Sequence, residues 1–402
     1  MKQNISSKGL TVRYSLYQIA YFAACAGYSA FAATYLLEKG FNASQVGVIL
    51  AVTNLLSCIL QPILGDFADR LKTFMLPQMI TSFLTGSFIC FTVIQLCNPP
   101  LMVFGVLYGA GMLLTSITVS LTNSVCVYYT ERNYPVNYGI GTGMGSFSFS
   151  VASLGLGYVI AWLGIDWMIW IVLMFLIIQI VIVLGYPKIS DSKMSESAEK
   201  DDELNQRASL WAFFGKYKFF GITMVGVGLI AMCHFMAENY LITIFQSMGG
   251  GSENVGMALF ASSMTATPFL LFFEKIQKKI NILTLMRLAG IFYICKVALL
   301  LLATEVWHVY LIQLLQTFTY GFINPSLFYF VKQRIAEADM VKGQAIAVVA
   351  FTIGSALGSF VGGRAIDSFG LNIMLLLALT FASIGTAIIN MTVNRNDKKV
   401  VL

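Results

Sequence analysis

Residues 166–187 read DWMIWIVLMFLIIQIVIVLGYP, and between Trp167 and Leu184 only Gln179 interrupts the apolar side chains. A helix of about 20 apolar residues crosses the roughly 30 Å hydrocarbon core of a bilayer. Because that core holds no water to bond the backbone, a spanning segment must be a helix or a strand of a closed barrel. Barrel strands alternate apolar and polar residues, and this segment does not. The segment therefore predicts a transmembrane helix.

The same pattern repeats along the chain of 402 residues, of which 57% are hydrophobic and 11% are charged. A soluble domain has about 25% charged residues, and the mean hydropathy of +0.77 also indicates a membrane protein. We predict an all-α membrane protein with twelve transmembrane helices. The predicted spans are 14–37, 44–66, 75–97, 101–127, 138–162, 166–187, 218–247, 254–273, 282–303, 308–331, 343–366 and 370–392.

The basic residues are distributed unevenly over the loops that join these spans. If the N-terminus is cytoplasmic, the cytoplasmic segments and span ends hold 22 of the 25 Lys and Arg residues, and only Lys39 and Arg364 lie outside. Cytoplasmic loops of membrane proteins carry such an excess of cations. We therefore expect a multi-pass protein of the cell (plasma or inner) membrane, in contact with membrane lipids, with both termini in the cytoplasm. Because the charges that give the net +6 lie at span ends, they do not indicate a nucleic-acid partner.

A polar segment, 188–217, divides the predicted spans six and six. It is rich in Ser, Lys and acidic residues, which is typical of a solvated linker. Spans 5 and 11 are both rich in Gly, Ser and Ala at similar offsets. Such repetition is typical of transporters built from two parallel halves around a central site, although chance similarity between apolar segments is the alternative. We predict an N-terminal half (1–187), a cytoplasmic linker (188–217) and a C-terminal half (218–402).

Residues 61–72 follow the second predicted span and read QPILGDFADRLK. They resemble the loop signature Gly-x-x-x-Asp-Arg-x-Gly-Arg-Lys/Arg of the major facilitator superfamily, with matches at Gly65, Asp69 and Arg70 and departures beyond them. The resemblance implies a transporter with two pseudo-symmetric six-helix halves. Charges at a helix end interact with helix dipoles, so we assign the three matching residues and Glu131 to a cytoplasmic gate. Ordinary boundary charges are the alternative.

A closer resemblance is to the lactose-permease-like branch of that superfamily, the oligosaccharide–proton symporters. It rests on Gln61 and Pro62 in span 2 and on Gly290 in span 9, six residues before Lys296. The branch has a stacking aromatic residue on helix 5, and Phe149 stands at that place here. The resemblance implies symport of a sugar-like solute with protons.

The sequence departs from that branch at its sugar-binding and proton-relay residues. Ser124 and Thr142 stand near the places of its Glu on helix 4 and its Arg on helix 5. Gln316 and Thr319 stand near the places of its His and Glu on helix 10. The resemblance therefore does not support a copy of lactose recognition or of that proton relay.

Two charged residues lie deep inside predicted spans, Glu238 in span 7 and Lys296 in span 9. An unpaired charge at mid-bilayer costs several kcal/mol, so such groups face a cavity or each other. His234 lies one turn before Glu238 on the same helix face, and free histidine titrates near neutral pH. We predict a proton-coupling or solute site at these three residues, and a purely structural ion pair is the alternative. In the resembling branch, an acid on helix 7 and a cation on helix 9 belong to a charge network.

Polar and aromatic side chains recur on one face of several spans. The five tyrosines of span 1 fall within roughly 60° of one another at 100° per residue, and they predict a solute-facing stripe with interfacial anchors at its ends. Amides inside a span either line a cavity or join helices. The candidate solute-lining residues are Tyr17, Tyr21, Tyr28, Asn54, Asn123, Phe149, Gln316, Tyr320 and Asn324.

The sequence shows no cluster that indicates catalysis, a metal or a cofactor. The seven cysteines form no CxxC pair, only two histidines are present, and no phosphate-binding loop occurs. We therefore expect a monomer that is not an enzyme and binds no metal or cofactor. We expect it to move a small polar solute, sugar-like or nucleoside-like, by alternating access with a proton gradient as the drive. The alternative is a multidrug or metabolite efflux carrier of the same fold.

Overall fold

The computed structural model describes residues 7–70, 76–132, 134–187 and 210–395, and within these ranges helix is the only regular secondary structure. We call the described residues up to 187 the N half and those from 210 onward the C half. The N half contains α1 (Ser7–Cys25), α2 (Ala32–Glu38), α3 (Ala43–Arg70), α4 (Leu76–Cys97), α5 (Leu101–Glu131), α6 (Tyr138–Leu163) and α7 (Asp166–Leu184). The C half contains α8 (Leu210–Lys216), α9 (Lys218–Asn239), α10 (Leu241–Gln246), α11 (Ser252–Leu271), α12 (Phe273–Gln277), α13 (Ile282–Leu302), α14 (Val306–Gln313), α15 (Tyr320–Arg334), α16 (Met340–Phe369) and α17 (Leu371–Thr392).

Each predicted span falls on one helix or on helices separated by a short break. Within the described ranges, nine helices are long and apolar enough to cross a membrane, and α1 with α2 gives a tenth if the pair, bent by 45°, is one span. The two remaining predicted spans are α11, which is rich in hydroxyl side chains, and the segment of α14 and α15, which a 3-10 turn at Leu314–Thr317 interrupts. The all-helical membrane fold is confirmed, and the count of twelve stays a prediction.

Three of the predicted spans are interrupted along their length. A π-helical turn at Ala26–Ala30 separates α1 from α2, and the 3-10 turn at Leu314–Thr317 separates α14 from α15. Tyr240 lies between α9 and α10. Interruptions of this kind change the direction of side chains and are frequent at functional sites. Tyr28 and Gln316, two of the predicted site residues, lie within these breaks.

The two halves meet along two helix pairs, α3 with α16 and α6 with α11. Glycines permit the close approach, because a Cβ at Gly363 would overlap the carbonyl oxygen of Ala43, and a Cβ at Gly256 would lie 2.6 Å from that of Ser153. Small residues at membrane helix interfaces allow such backbone contact. Both contacts lie toward the end of the bundle at which α3 and α11 begin. We call this end, where the halves touch, the closed end.

Candidate solute cavity and charge cluster

A cavity of about 600 Å³ lies between the two halves, on the side away from the closed end. The N half contributes α1, its π-helical turn, α3 and α5 to the wall, and the C half contributes α9 and α16. None of the described residues that line it carries a charge. Its polar and aromatic lining residues are Tyr21, Tyr28, Ser29, Asn54, Ser57, Gln61, Ser116, Phe235, Asn239, Phe351, Thr352 and Ser355.

Two asparagines, one from each half, place amide groups in the cavity wall. Asn54 on α3 donates from Nδ2 to Ser355 Oγ on α16 at 3.0 Å, which joins the two halves. Asn239 at the end of α9 donates from Nδ2 to Ser359 Oγ at 2.7 Å. An asparagine side chain has two N–H donors and one carbonyl acceptor. Each amide therefore keeps groups with which a solute can form hydrogen bonds.

Four aromatic side chains also contribute to the cavity wall. Tyr21 and Tyr28 are buried, whereas Phe235 and Phe351 are partly exposed. The two phenylalanine rings meet edge-to-face with centroids 5.9 Å apart. Aromatic rings offer a large apolar face to planar or ring-shaped ligands. The phenylalanines therefore provide the larger accessible ring surface of the cavity.

Next to this cavity, the C half contains a cluster of charged and amide side chains. Lys296 on α13 donates from Nζ to Glu238 Oε1 at 2.6 Å and to Gln316 Oε1 at 2.7 Å. Gln313 donates from Nε2 to Glu238 Oε2 at 3.3 Å. The side chain of Lys296 is 2% exposed and that of Glu238 is 13% exposed. Protein thus encloses the ion pair, and the carboxylate is its more accessible member.

His234 lies one turn before Glu238 on α9, and its ring packs among aromatic side chains. It stacks on Tyr320 with ring centroids 5.3 Å apart and meets Tyr293 edge-on at 5.7 Å. Asn324, which is exposed, donates from Nδ2 to the Tyr320 hydroxyl at 3.1 Å. The structure therefore brings the predicted coupling residues together with the polar face of the tenth predicted span.

Gln316, Tyr320 and Asn324 do not line the cavity. Three further candidate lining residues lie inside the N half and do not line it either. Tyr17 is 1% exposed, and its hydroxyl lies 3.0 Å from Thr118 Oγ1. Asn123 accepts a hydrogen bond from the Tyr14 hydroxyl at 3.2 Å. Phe149 packs against the apolar core. The tyrosine stripe of α1 thus faces neighbouring helices along most of its length, and only its members near the π-helical turn reach the cavity.

The predicted cytoplasmic gate is described only in its backbone. Gly65, Asp69 and Arg70 lie in the last turns of α3, and Glu131 is the last residue of α5. Their side chains lie outside the described part of the structure. The role of these four residues therefore stays a prediction.

The closed end carries two side chains that the sequence analysis did not identify. The carboxylate of Asp367 on α16 accepts hydrogen bonds from the backbone N–H groups of Ala43 at 3.1 Å and Ser44 at 2.7 Å. The first N–H groups of a helix lack partners within it, and an acidic side chain is favourable there. The Tyr240 hydroxyl lies 2.7 Å from the carbonyl oxygen of Ser359 and 3.2 Å from that of Ala43. Both side chains thus bind α3 to the C half.

Residues 11–377 match the MFS_1 like family. The uncharacterized transporter YwbF of Bacillus subtilis (strain 168) is 25% identical over 378 residues, which cover 89% of this chain and 88% of the relative. A mutant form of the nucleoside transporter NupG aligns with a TM-score of 0.81 and 16% identity, over 96% of this chain and 100% of that chain. An inward-facing, unoccupied bacterial homolog of the human lysosomal transporter Spinster aligns with a TM-score of 0.68 and 13% identity, over 97% and 98%.

At these identities the solved structures show a shared fold, and the family match shows descent over most of the chain. The relatives are transporters and not enzymes. The protein therefore belongs to the MFS_1 like family and is a membrane transporter of the major facilitator type.

Proposed function

We propose that this transporter moves a neutral polar solute that contains a ring, of the nucleoside or sugar class, by alternating access. The observation that carries the proposal is the lining of the central cavity, which offers amides, hydroxyls and aromatic rings but no charged side chain among the described residues. An ion in such a site would lose its hydration without gaining a partner of opposite charge. A neutral solute can exchange its hydrogen bonds with water for hydrogen bonds with Asn54 and Asn239.

Of the two solute classes, the cavity favours nucleosides. A nucleobase is flat and can pack on the rings of Phe235 and Phe351, while the ribose hydroxyls can bond to the amides and serines of the wall. A sugar would use the amides but would leave most of the phenylalanine surface without a planar partner. The fold likeness to NupG, which is a nucleoside transporter, agrees with this preference.

The contacts between the halves support a state in which the cavity opens to the cytoplasm. Within the described ranges, the hydrogen bonds that join the two halves lie at the closed end, and the one farthest from that end joins Asn54 to Ser355. Under the predicted orientation, the closed end is extracellular. Rocking of the halves would release Asp367 and Tyr240 from α3 and expose the cavity to the other side.

We assign the coupling proton to Glu238. Its carboxylate is the accessible member of the ion pair with Lys296, and protonation would cancel the attraction between the two side chains. The next residue, Asn239, lines the cavity, and the one after it, Tyr240, contacts α3 of the N half. Protonation would therefore alter the end of α9, next to both the solute and the closed end.

Solute exchange by the purified protein in liposomes tests the solute class. Labelled uridine should exchange, and Asn54→Ala and Asn239→Ala should each weaken its binding by roughly twofold to tenfold, because one lost hydrogen bond costs about 0.5–1.5 kcal/mol. Asn324→Ala is the matched control, since this amide is exposed and does not line the cavity. Transport of lipophilic cations that neither cavity variant affects would contradict the proposal and favour the efflux alternative.

A further inference from the structure

A second and larger cavity, of about 1200 Å³, lies on the outside of the bundle near the closed end. It is a groove whose walls come from α3 and α5 of the N half and from α16 of the C half. Val48, Val52, Val106 and Phe360 line it and are 44% to 65% exposed. All three helices are among those long and apolar enough to cross a membrane. The groove therefore faces the hydrocarbon of the bilayer.

The groove changes from apolar to polar along its length. Apart from the buried Thr53, its polar lining residues are Asn42, Ser44, Gln45 and Arg364, and they gather where α3 begins and α16 approaches its end. Arg364 lies five residues before the end of α16 at Phe369, which is about 7.5 Å along a helix. A long basic side chain at this depth extends its head toward the headgroup level while its stem stays in apolar surroundings.

Arg364 differs from the other cation that the sequence places at this end. Lys39 forms an ion pair with Asp166, whereas Arg364 is exposed, and its guanidinium forms no ion pair or hydrogen bond with the described residues. A guanidinium binds phosphate through two parallel N–H donors. The groove thus combines an apolar trough at hydrocarbon depth with an available phosphate-binding group at its polar end.

We propose that this groove is a specific phospholipid site, with an acyl chain between α3 and α5 and the lipid phosphate on Arg364. Phe360 and Arg364 belong to the C half, and the rest of the lining belongs to the N half. A C-half side chain touches the groove only because α16 lies against α3, where a Cβ at Gly47 would lie 3.1 Å from the Cα of Phe360. A bound phospholipid contacts both halves and therefore favours the state in which this end is closed.

Native mass spectrometry of the full chain, released from nanodiscs of phosphatidylethanolamine and phosphatidylglycerol, tests the site. The wild type should retain one phospholipid at a collision energy at which Arg364→Gln retains at least fivefold less. Val106→Trp should also lose the lipid, because it fills the groove from an exposed position and leaves the core and Arg364 unchanged. Lys39→Gln is the matched control and should retain the lipid, since it removes a cation at the same end that does not line the groove.

Three results would overturn the proposal. The first is retention of the lipid by Arg364→Gln at the wild-type level. The second is an equal loss of lipid from Lys39→Gln, which would indicate a general attraction to cations. Full retention by Val106→Trp together with loss in Arg364→Gln would show headgroup binding without an acyl chain in the groove. Because the two groove variants change different parts of the site, a folding defect in one leaves the other as a test.

Discussion

Among the described side chains, the buried polar groups of the C half include an ion pair, whereas those of the N half are neutral. In the C half, Glu238 and Lys296 form an enclosed ion pair 2.6 Å apart. In the N half, Gln18 donates to the Tyr14 hydroxyl at 2.7 Å, and this hydroxyl donates to Asn123. A carboxylate can take up a proton and become a donor, whereas amides and phenols keep their hydrogen-bonding roles near neutral pH. We infer that the N half is the fixed scaffold of this transporter and that the C half carries its titratable site.

Of the substitutions that test this difference between the halves, the one that breaks the ion pair should cause the largest loss of stability. Glu238→Gln leaves the Lys296 ammonium buried among amides, and removing one partner of a buried ion pair costs about 3–5 kcal/mol. Thermal unfolding of the purified protein should therefore show a clearly lower Tm. Lys296→Met in the same chain removes the uncompensated charge, so the double variant should recover most of the loss. A wild-type Tm for Glu238→Gln alone would contradict a structural role for the pair.

A substitution where the two halves meet should have a smaller free-energy cost. Gly363→Ala places a methyl group against the Ala43 carbonyl oxygen and the Tyr240 hydroxyl, and overpacking of this kind costs about 1–3 kcal/mol. Because only the state with a closed end bears this cost, the variant should shift toward the opposite state. Gly155→Ala is the control, since no side chain or neighbouring helix lies within 4 Å of a Cβ built there.

Thiol labelling from outside measures this shift. In a background without native cysteines, a cysteine at Ser359, which is buried at the closed end, should react faster in the Gly363→Ala chain than in the parent. Gly155→Ala should leave the rate unchanged. Equal rates in all three chains would mean that the glycine contact does not control this end.

Asp367→Asn should also raise this labelling rate, but by less than Gly363→Ala does. The substitution keeps one acceptor oxygen but removes the other and the charge at the N-terminus of α3, which together cost about 1–2 kcal/mol. Asp166→Asn is the matched control, because Asp166 lies at the same end but pairs with Lys39 inside the N half. If both variants changed the rate equally, general electrostatics would explain the result and the cap would not.

The smallest effect is expected inside the N half. Tyr17→Phe removes the hydroxyl next to Thr118, which should lower the free energy of unfolding by about 0.5–1.5 kcal/mol. Proton-driven uptake should persist, because the hydroxyl lies in the neutral scaffold. Loss of uptake without a change in Tm would contradict the division of roles between the halves.

The positions of the helices and the ion pair could be predicted from sequence for the same physical reason. Hydrocarbon excludes charges and unpaired backbone groups, so apolar runs locate the helices, and the two charges inside such runs must face a cavity or each other. The structure places Glu238 and Lys296 in contact, which is one of these two arrangements. Composition and depth in the membrane are properties that the sequence records directly.

The cavity lining was harder to predict because it depends on which helices approach each other. A tyrosine stripe faces either a cavity or a neighbouring helix, and Tyr17 faces Thr118 while Tyr21 faces the cavity. The start of α3 shows the same limit. Asn42 accepts from the backbone N–H of Gln45 at 2.8 Å, and Gln45 accepts in return at 3.0 Å, a local cap of a kind that sequence can suggest. The additional cap by Asp367 comes from more than 300 residues away.

The central claim is that the C half couples solute movement to protons through Glu238. Uptake and exchange, both measured in liposomes that contain the Glu238→Gln protein, test it. The variant fixes the neutral form of the side chain, so uptake driven by a proton gradient should fail. Exchange of labelled for unlabelled solute should survive within a few-fold of the wild type, because it needs no net proton movement. Return of proton-driven uptake in the Glu238→Gln, Lys296→Met double variant would contradict the assignment of the coupling proton to Glu238, since that chain lacks the carboxylate.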